Sequence, residues 1–203
     1  CTPSARLTEK LEDIQSVYAA EGTLAHSLAE LQLRYLLKLI TKATYNKELK
    51  TIQANELYTE DMPDEVEKYI SFVFERLTEA RSHTEDALIF LEQKLDFSKW
   101  VPEGFGTGDC IIIADGTMEV IDLKYGKGVE VSADHNPQMM LYALGALEEF
   151  GFIYDIEKVR MTIAQPRLDN FSTWEISVED LLAWAGGALT EKAKEAWEGN
   201  GSP

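Results

Sequence analysis

Cysteine is scarce in this 203-residue chain: only Cys1 and Cys110 occur. Two thiols make neither a disulfide framework nor a complete metal site. Long apolar runs are missing too. None approaches the roughly 18 residues that a membrane-spanning helix needs, and no secretory leader pattern is visible. The chain is therefore expected in the cytoplasm, with no membrane partner. Basic residues are few: 19 Lys and Arg stand against 36 Asp and Glu, a formal net charge of −17. That balance argues against a simple electrostatic nucleic-acid binder, which would be basic. It leaves room for an enzyme that holds phosphates through metal ions and a local basic strip. Most of the negative charge reads as solvated helix surface. Hydrophobic residues, by contrast, make up 45%, enough for a substantial core. The chain begins on Cys1 rather than Met and is read as a piece of a longer protein.

Residues 1–85 read as mainly helical. Leu24, Leu28, Leu31, Tyr35 and Leu39 recur at helical spacing. Gly22-Thr23 predicts a break into two helices within residues 6–43. Residues 44–60 read as a polar connection. Pro63, followed by Asp64 and Glu65, suits the first turn of a helix running to about Ser82. Residues 86–180 read as β-rich, with strands over 87–97, 108–114, 117–125, 159–165 and 171–176. Asn136-Pro137 is a helix start, and that helix reaches Phe150. A last helix covers 178–198, and residues 199–203 look turn-like. This order predicts one α/β domain over 1–203, a mixed central sheet flanked by helices with a helical N-terminal segment.

The sharpest inference comes from Asp115-Gly116, a two-residue hairpin signal between strand-like runs. If these are the turn residues, Ala114 pairs with Thr117, Ile111 with Val120 and Asp109 with Asp122. Two aspartates then oppose each other on one face, about 5 Å apart at Cβ. Opposed like charges destabilise a sheet, and burial pushes one carboxyl pKa up. A divalent cation between them removes the conflict, and oxygen ligands at this spacing suit Mg²⁺ or Mn²⁺. Lys124 follows Asp122 by two and shares its strand face. It could orient a water or stabilise phosphate charge. The Leu123 carbonyl is available as a ligand. Glu92-Gln93-Lys94 repeats the acid-x-lysine spacing but has no hairpin-paired aspartate, so Glu92 reads as accessory or structural. Asp-x-Lys alone is common in proteins; the cross-strand register is what gives it weight.

At these residues the sequence resembles the RecB-like branch of PD-(D/E)XK nucleases, over roughly residues 20–165. Gly22-Thr23-Leu24-Ala25-His26, Gly106-Thr107-Gly108-Asp109, Ile121-Asp122-Leu123-Lys124 and Gln138-Met139-Met140-Leu141-Tyr142 follow that branch's motif order. The stretch from Asp122 to Gly145 is similar to its phage-associated members. The resemblance implies a restriction-endonuclease-like core and a metal-dependent deoxyribonuclease, an exonuclease in phage DNA processing or recombination. His26, Asp109, Asp122 and the Leu123 carbonyl would bind Mg²⁺ or Mn²⁺, and Lys124 would be the catalytic lysine. Gln138 and Tyr142 would position the substrate strand; apart from the resemblance, Lys127, Lys94 and Lys99 could supply a basic track. Glu92 would orient Lys124 or a second metal's water. Some members hold an iron–sulfur cluster with one early and three late cysteines. Cys1 could match the early one, but the late trio is absent, so a cluster is possible only in a longer parent chain. The implied partners are a DNA strand or duplex end and phage recombination proteins, in a bacterial host carrying the phage or prophage.

Two rival readings stay open from residues alone. One is the same fold without catalysis, a DNA-end-binding or partner-docking module. The other is an acidic interaction protein or DNA mimic, which would respond to no metal.

Overall fold

The computed structural model describes residues 17–199. Cys1, the start of the predicted first helix and the tail from residue 200 lie outside the described residues. The N-terminal part holds three helices: α1 (Val17–Leu36), α2 (Lys42–Gln53) and α3 (Met62–His83). Gly22 does not split α1 as expected. A glycine inside a helix costs about 1 kcal/mol, and the burial of Leu24, Ala25, Leu28, Leu31 and Leu33 on one face outweighs it. The chain leaves that direction at Lys38, in the left-handed region at φ 62°. Nor is the segment after residue 43 a mere connection. Thr41 caps α2, its hydroxyl accepting from the Thr44 N–H at 3.2 Å. Pro63 opens the first turn of α3 as predicted.

Five strands follow: β1 (Leu88–Asp96), β2 (Phe105–Ala114), β3 (Gly116–Leu123), β4 (Ile156–Gln165) and β5 (Asn170–Ser177), with helix α4 (Pro137–Phe150) crossing between β3 and β4. They form one mixed sheet in sequential order. Only β3 and β4 run parallel, as a helical crossover requires. The hairpin register is the predicted one, with Ala114 opposite Thr117, Ile113 opposite Met118 and Ile111 opposite Val120. Gly116 supplies the positive φ, 73°, that the turn needs. Asn136 caps α4, its side chain accepting from the Gln138 and Met139 N–H groups. The final helix runs unbroken from Val178 to Trp197, as expected, but changes its winding on the way. It runs as α5 (Val178–Trp184), a π-helical turn over Ala185–Leu189 holding Gly186-Gly187, and α6 (Thr190–Trp197).

Alternation along the strands sorts two cores. Cys110, Ile112, Ile121 and Leu123 pack against α1 and α3. Ile111, Ile113, Met118 and Val120 pack against α4 and α5. The result is a restriction-endonuclease-like layering of helices, mixed sheet and helices. No described helix is long and apolar enough to cross a membrane.

Candidate metal centre

The alternation fails in one row of the sheet, and that failure builds the site. On β1, Phe90 and Leu95 both belong to the α4-side core although they are five residues apart. Between them Glu92 takes φ 48°. On β2, a Cβ added at Gly108 would meet Leu95 and Ile111 in the same α4-side core. Gly108 and Ile111 thus face one way although they are three apart, and Asp109, like Cys110, turns to the α1 side. The two irregularities coincide. Leu91 pairs with Cys110 and Gln93 with Gly108, so Glu92 lies opposite Asp109. This is the acidic neighbour that sequence reasoning denied Glu92: the partner comes from β1–β2 pairing, which no tight turn announces.

His26, on the buried face of α1, completes the group. His26 Nδ1 lies 3.1 Å from Asp109 Oδ1, a hydrogen bond when Nδ1 carries the proton. Ligand atoms of His26, Glu92 and Asp109 all fall within 4.8 Å of one another. The other Asp109 oxygen, Oδ2, accepts from the Leu123 N–H at 2.6 Å. Regular β2–β3 pairing stops at Cys110–Ile121, so Asp109 fastens the strands where they part. Behind the cluster sits the Tyr69 hydroxyl, fully buried with no hydrogen-bond partner.

Asp122 is placed differently from the shared-face expectation. Its neighbours Ile121 and Leu123 lie in the α1–α3 core, so Asp122 leaves β3 on the other side. It is buried, 3% exposed, and stands outside the 4.8 Å trio. The pleat of β3 stays regular while that of β2 reverses, yet the two aspartates remain in electrostatic reach, the charge of Asp109 acting on Asp122 more strongly than that of Lys124. The fork between the strands still lets their charges interact. Lys124 Nζ lies 2.8 Å from Asp122 Oδ2 and pairs with it.

The electrostatics follow from crowding. Burial first, then the charge of Asp109, lifts the Glu92 carboxyl to about 7, against the pull of His26. Burial and Asp109 likewise lift Asp122 to about 6, against Lys124. Burial alone would lower His26, but the hydrogen bond and charge of Asp109, with Glu92 and Asp122, outweigh it and raise the imidazole. Acids that hold their protons this tightly are ones that a cation would relieve.

The cluster opens into a cleft of about 730 Å³ lined by His26, Glu92, Thr107, Asp109, Leu123 and Lys124 among others. Gly126 and Gly128 form a rim, pinned by Gln165, whose Oε1 accepts from the Val131 N–H at 2.7 Å and whose Nε2 donates to the Val129 carbonyl at 3.1 Å. Nothing local in the sequence marks Gln165, because the loop it holds is more than thirty residues away. The expected substrate residues sit outside this lining. Lys127 is exposed and its charge acts on Asp61. Gln138 Nε2 donates to the Tyr142 hydroxyl at 2.9 Å, and the Tyr142 ring covers Gly106, where any Cβ would come within 2.4 Å of it. Lys99 pairs with Glu148 at 2.8 Å.

The family described as "Protein of unknown function (DUF2800)" matches residues 1–202. The chain belongs to the DUF2800 family. Among solved structures, this DUF2800 chain is similar to a candidate exonuclease from Eubacterium rectale, at 13% identity, 98% coverage of this chain, 74% of that chain and a TM-score of 0.47. It is also similar to a protein known as SSO0001, at 13% identity, 100% and 86% coverage and a TM-score of 0.28. Likeness at this level assigns no activity, and the functional reading of this DUF2800 protein rests on its own site.

Proposed function

We propose that the protein hydrolyses DNA phosphodiester bonds with the help of Mg²⁺ or Mn²⁺, working from a strand end as its motif order implies. The observation that carries the reading is the His26–Glu92–Asp109 trio, one imidazole and two carboxylates within 4.8 Å. Burial and the charge of Asp109 raise the Glu92 carboxyl within it to about 7, a strain that a cation would relieve. One nitrogen and several carboxylate oxygens suit these hard and borderline ions. The orphaned Tyr69 hydroxyl beside them adds a polar group for the waters of such a centre. When bound, the ion would lower the pKa of a coordinated water and neutralise charge on the phosphate.

The remaining chemistry belongs to the chain. Asp109 ties the centre to β3 through the Leu123 N–H. Asp122 holds the Lys124 ammonium at the cleft wall. From there Lys124 orients the attacking water or stabilises charge on the phosphate oxygens. Asp122 adds a third carboxylate across the fork, and the Leu123 carbonyl is a further donor.

The test is a Mn²⁺ titration with an end-labelled DNA strand. Metal-dependent cleavage that disappears in both Asp109→Ala and Lys124→Ala is the expected result. Metal-independent cleavage, or none with any divalent ion, overturns the reading and leaves the docking module.

A further inference from the structure

Beyond the carboxylate trio, β1 and β2 continue outward as a short ribbon, and its side chains are ordered by chemistry. Cβ atoms at Gly106 and Gly108 would point at Tyr142 and Leu95 on the α4 side. Phe105 and Thr107 therefore share the α1 side with Asp109. Lys94 pairs with Thr107 and Asp96 with Phe105, so three rungs stand on one surface: Glu92 with Asp109, Lys94 with Thr107, Asp96 with Phe105. Each rung advances about 7 Å along the strands, the scale of one extended nucleotide. Thr107 lines the cleft. The Lys94 ammonium lies 5.4 Å from the Phe105 ring centroid, and a through-space attraction links it to Asp96. Phe105 is 69% exposed, a large flat apolar face left in water at the end of a polar track. The ribbon keeps this shape because Tyr142 fills the space beneath Gly106. The Asp96 carboxylate is turned away into a hydrogen bond from the Ser98 N–H, at 2.8 Å.

We propose that this ribbon binds single-stranded DNA, with a base stacked on Phe105 and the adjoining phosphates met by Lys94 and Thr107. The inference rests on the nuclease reading for its direction, since the track leads a strand into the trio. Stacking needs an exposed base face, which duplex DNA offers only at its ends. An aromatic platform tolerates any base and favours a frayed or unpaired strand. A chain with net charge −17 repels a duplex as a whole. A short segment threaded past one lysine and one aromatic ring meets that repulsion over few phosphates.

The experiment measures fluorescence anisotropy of a labelled oligothymidylate and of a blunt duplex of equal length, in Ca²⁺ and in EDTA, with wild-type protein, Phe105→Ala and Phe105→Trp. The side chain is exposed, so all three should melt together. Phe105→Ala should weaken single-strand binding roughly tenfold and change duplex binding less than about twofold. Phe105→Trp should keep the affinity, with its added indole emission quenched on binding. Equal binding by wild type and Phe105→Ala overturns the platform, as does an equal loss for strand and duplex, or no oligothymidylate binding by wild type. The two readings fail separately. Cleavage in Mn²⁺ with no effect at Phe105 leaves the nuclease and removes the platform. Phe105-dependent binding without cleavage leaves the platform and removes the nuclease.

Discussion

Asp109 serves two neighbours with its two oxygens: Oδ1 faces His26 Nδ1 at 3.1 Å, and Oδ2 accepts the Leu123 N–H at 2.6 Å. The first contact belongs to the charge cluster, the second to the sheet. Different substitutions should therefore separate them. Asp109→Asn keeps an acceptor for Leu123 while removing a charge beside Glu92 and Asp122. Its melting midpoint in EDTA should match or exceed wild type, and the rise given by Mn²⁺ should vanish. Asp109→Ala should lose about 1–3 kcal/mol in EDTA by leaving the buried N–H unpaired. Chemical denaturation with and without Mn²⁺ checks both.

Lys124 should matter for turnover and little for metal uptake. Lys124→Ala should lower kcat on DNA by about 100-fold or more while Mn²⁺ still raises the midpoint. Loss of the Mn²⁺ effect would instead make the ammonium part of the metal centre's scaffold. Without Lys124 opposite it, Asp122 should hold its proton to still higher pH.

The raised acids set the sign of the pH dependence. Glu92 and Glu119 stand at about 7 and Asp122 at about 6, burial being the first cause in each. A carboxyl raised in the fold binds protons more tightly there than in the unfolded chain. Its stabilising effect is whole below about pH 4 and is lost as pH climbs through about 6 to 7. In EDTA the midpoint should fall between about pH 5 and pH 8. Mn²⁺ must displace those protons, so its stabilisation should grow over the same interval. A midpoint in EDTA that climbs steadily to about pH 8 would contradict the assignment.

Gly145 in α4 faces β1 at close range: an added Cβ would stand 2.9 Å from Leu95 Cβ and 3.4 Å from the Asp96 backbone. Alanine gains about 1 kcal/mol of helix propensity, but overpacking of this kind costs about 1–3 kcal/mol. Gly145→Ala should be destabilised by roughly 1 kcal/mol. Urea midpoints decide it, and a stabilised variant would show that α4 can shift off the sheet.

At the far end of the sheet Arg76 Nε donates to both oxygens of Glu119 at 3.0 Å, and Arg160 Nη1 donates to it at 3.3 Å. Glu119 is 4% exposed. Arg76→Ala should cost about 3 kcal/mol, the low end for a broken buried pair, because Arg160 remains. Glu119→Gln should recover part of that loss in the double variant, as an interaction energy in a double-mutant cycle.

Much of this was legible in the residues themselves. The hairpin register followed from Asp115-Gly116, because a two-residue turn leaves one way to pair the flanking strands. The start of α4 followed from Asn136-Pro137, because capping is a contact between residues two and three apart. Both are local, and local chemistry is written in order along the chain. The continuity of α1 through Gly22 was not legible, since tertiary burial on its far side decides it. Nor was the trio. His26 meets Asp109 across 83 residues, and Glu92 meets it only where two neighbouring strands both reverse their pleat. Strand period predicts which face a side chain takes only while the pleat holds. It put Asp109 directly opposite Asp122, and the reversal at Asp109 turned that side chain toward His26 and Glu92 while leaving its charge in reach of Asp122. Sequence alone therefore determined which acids, imidazole and lysine this protein has near the ends of its strands. Only the folded sheet decided which of them meet, because a cross-strand neighbour is set by packing between elements and not by distance along the chain.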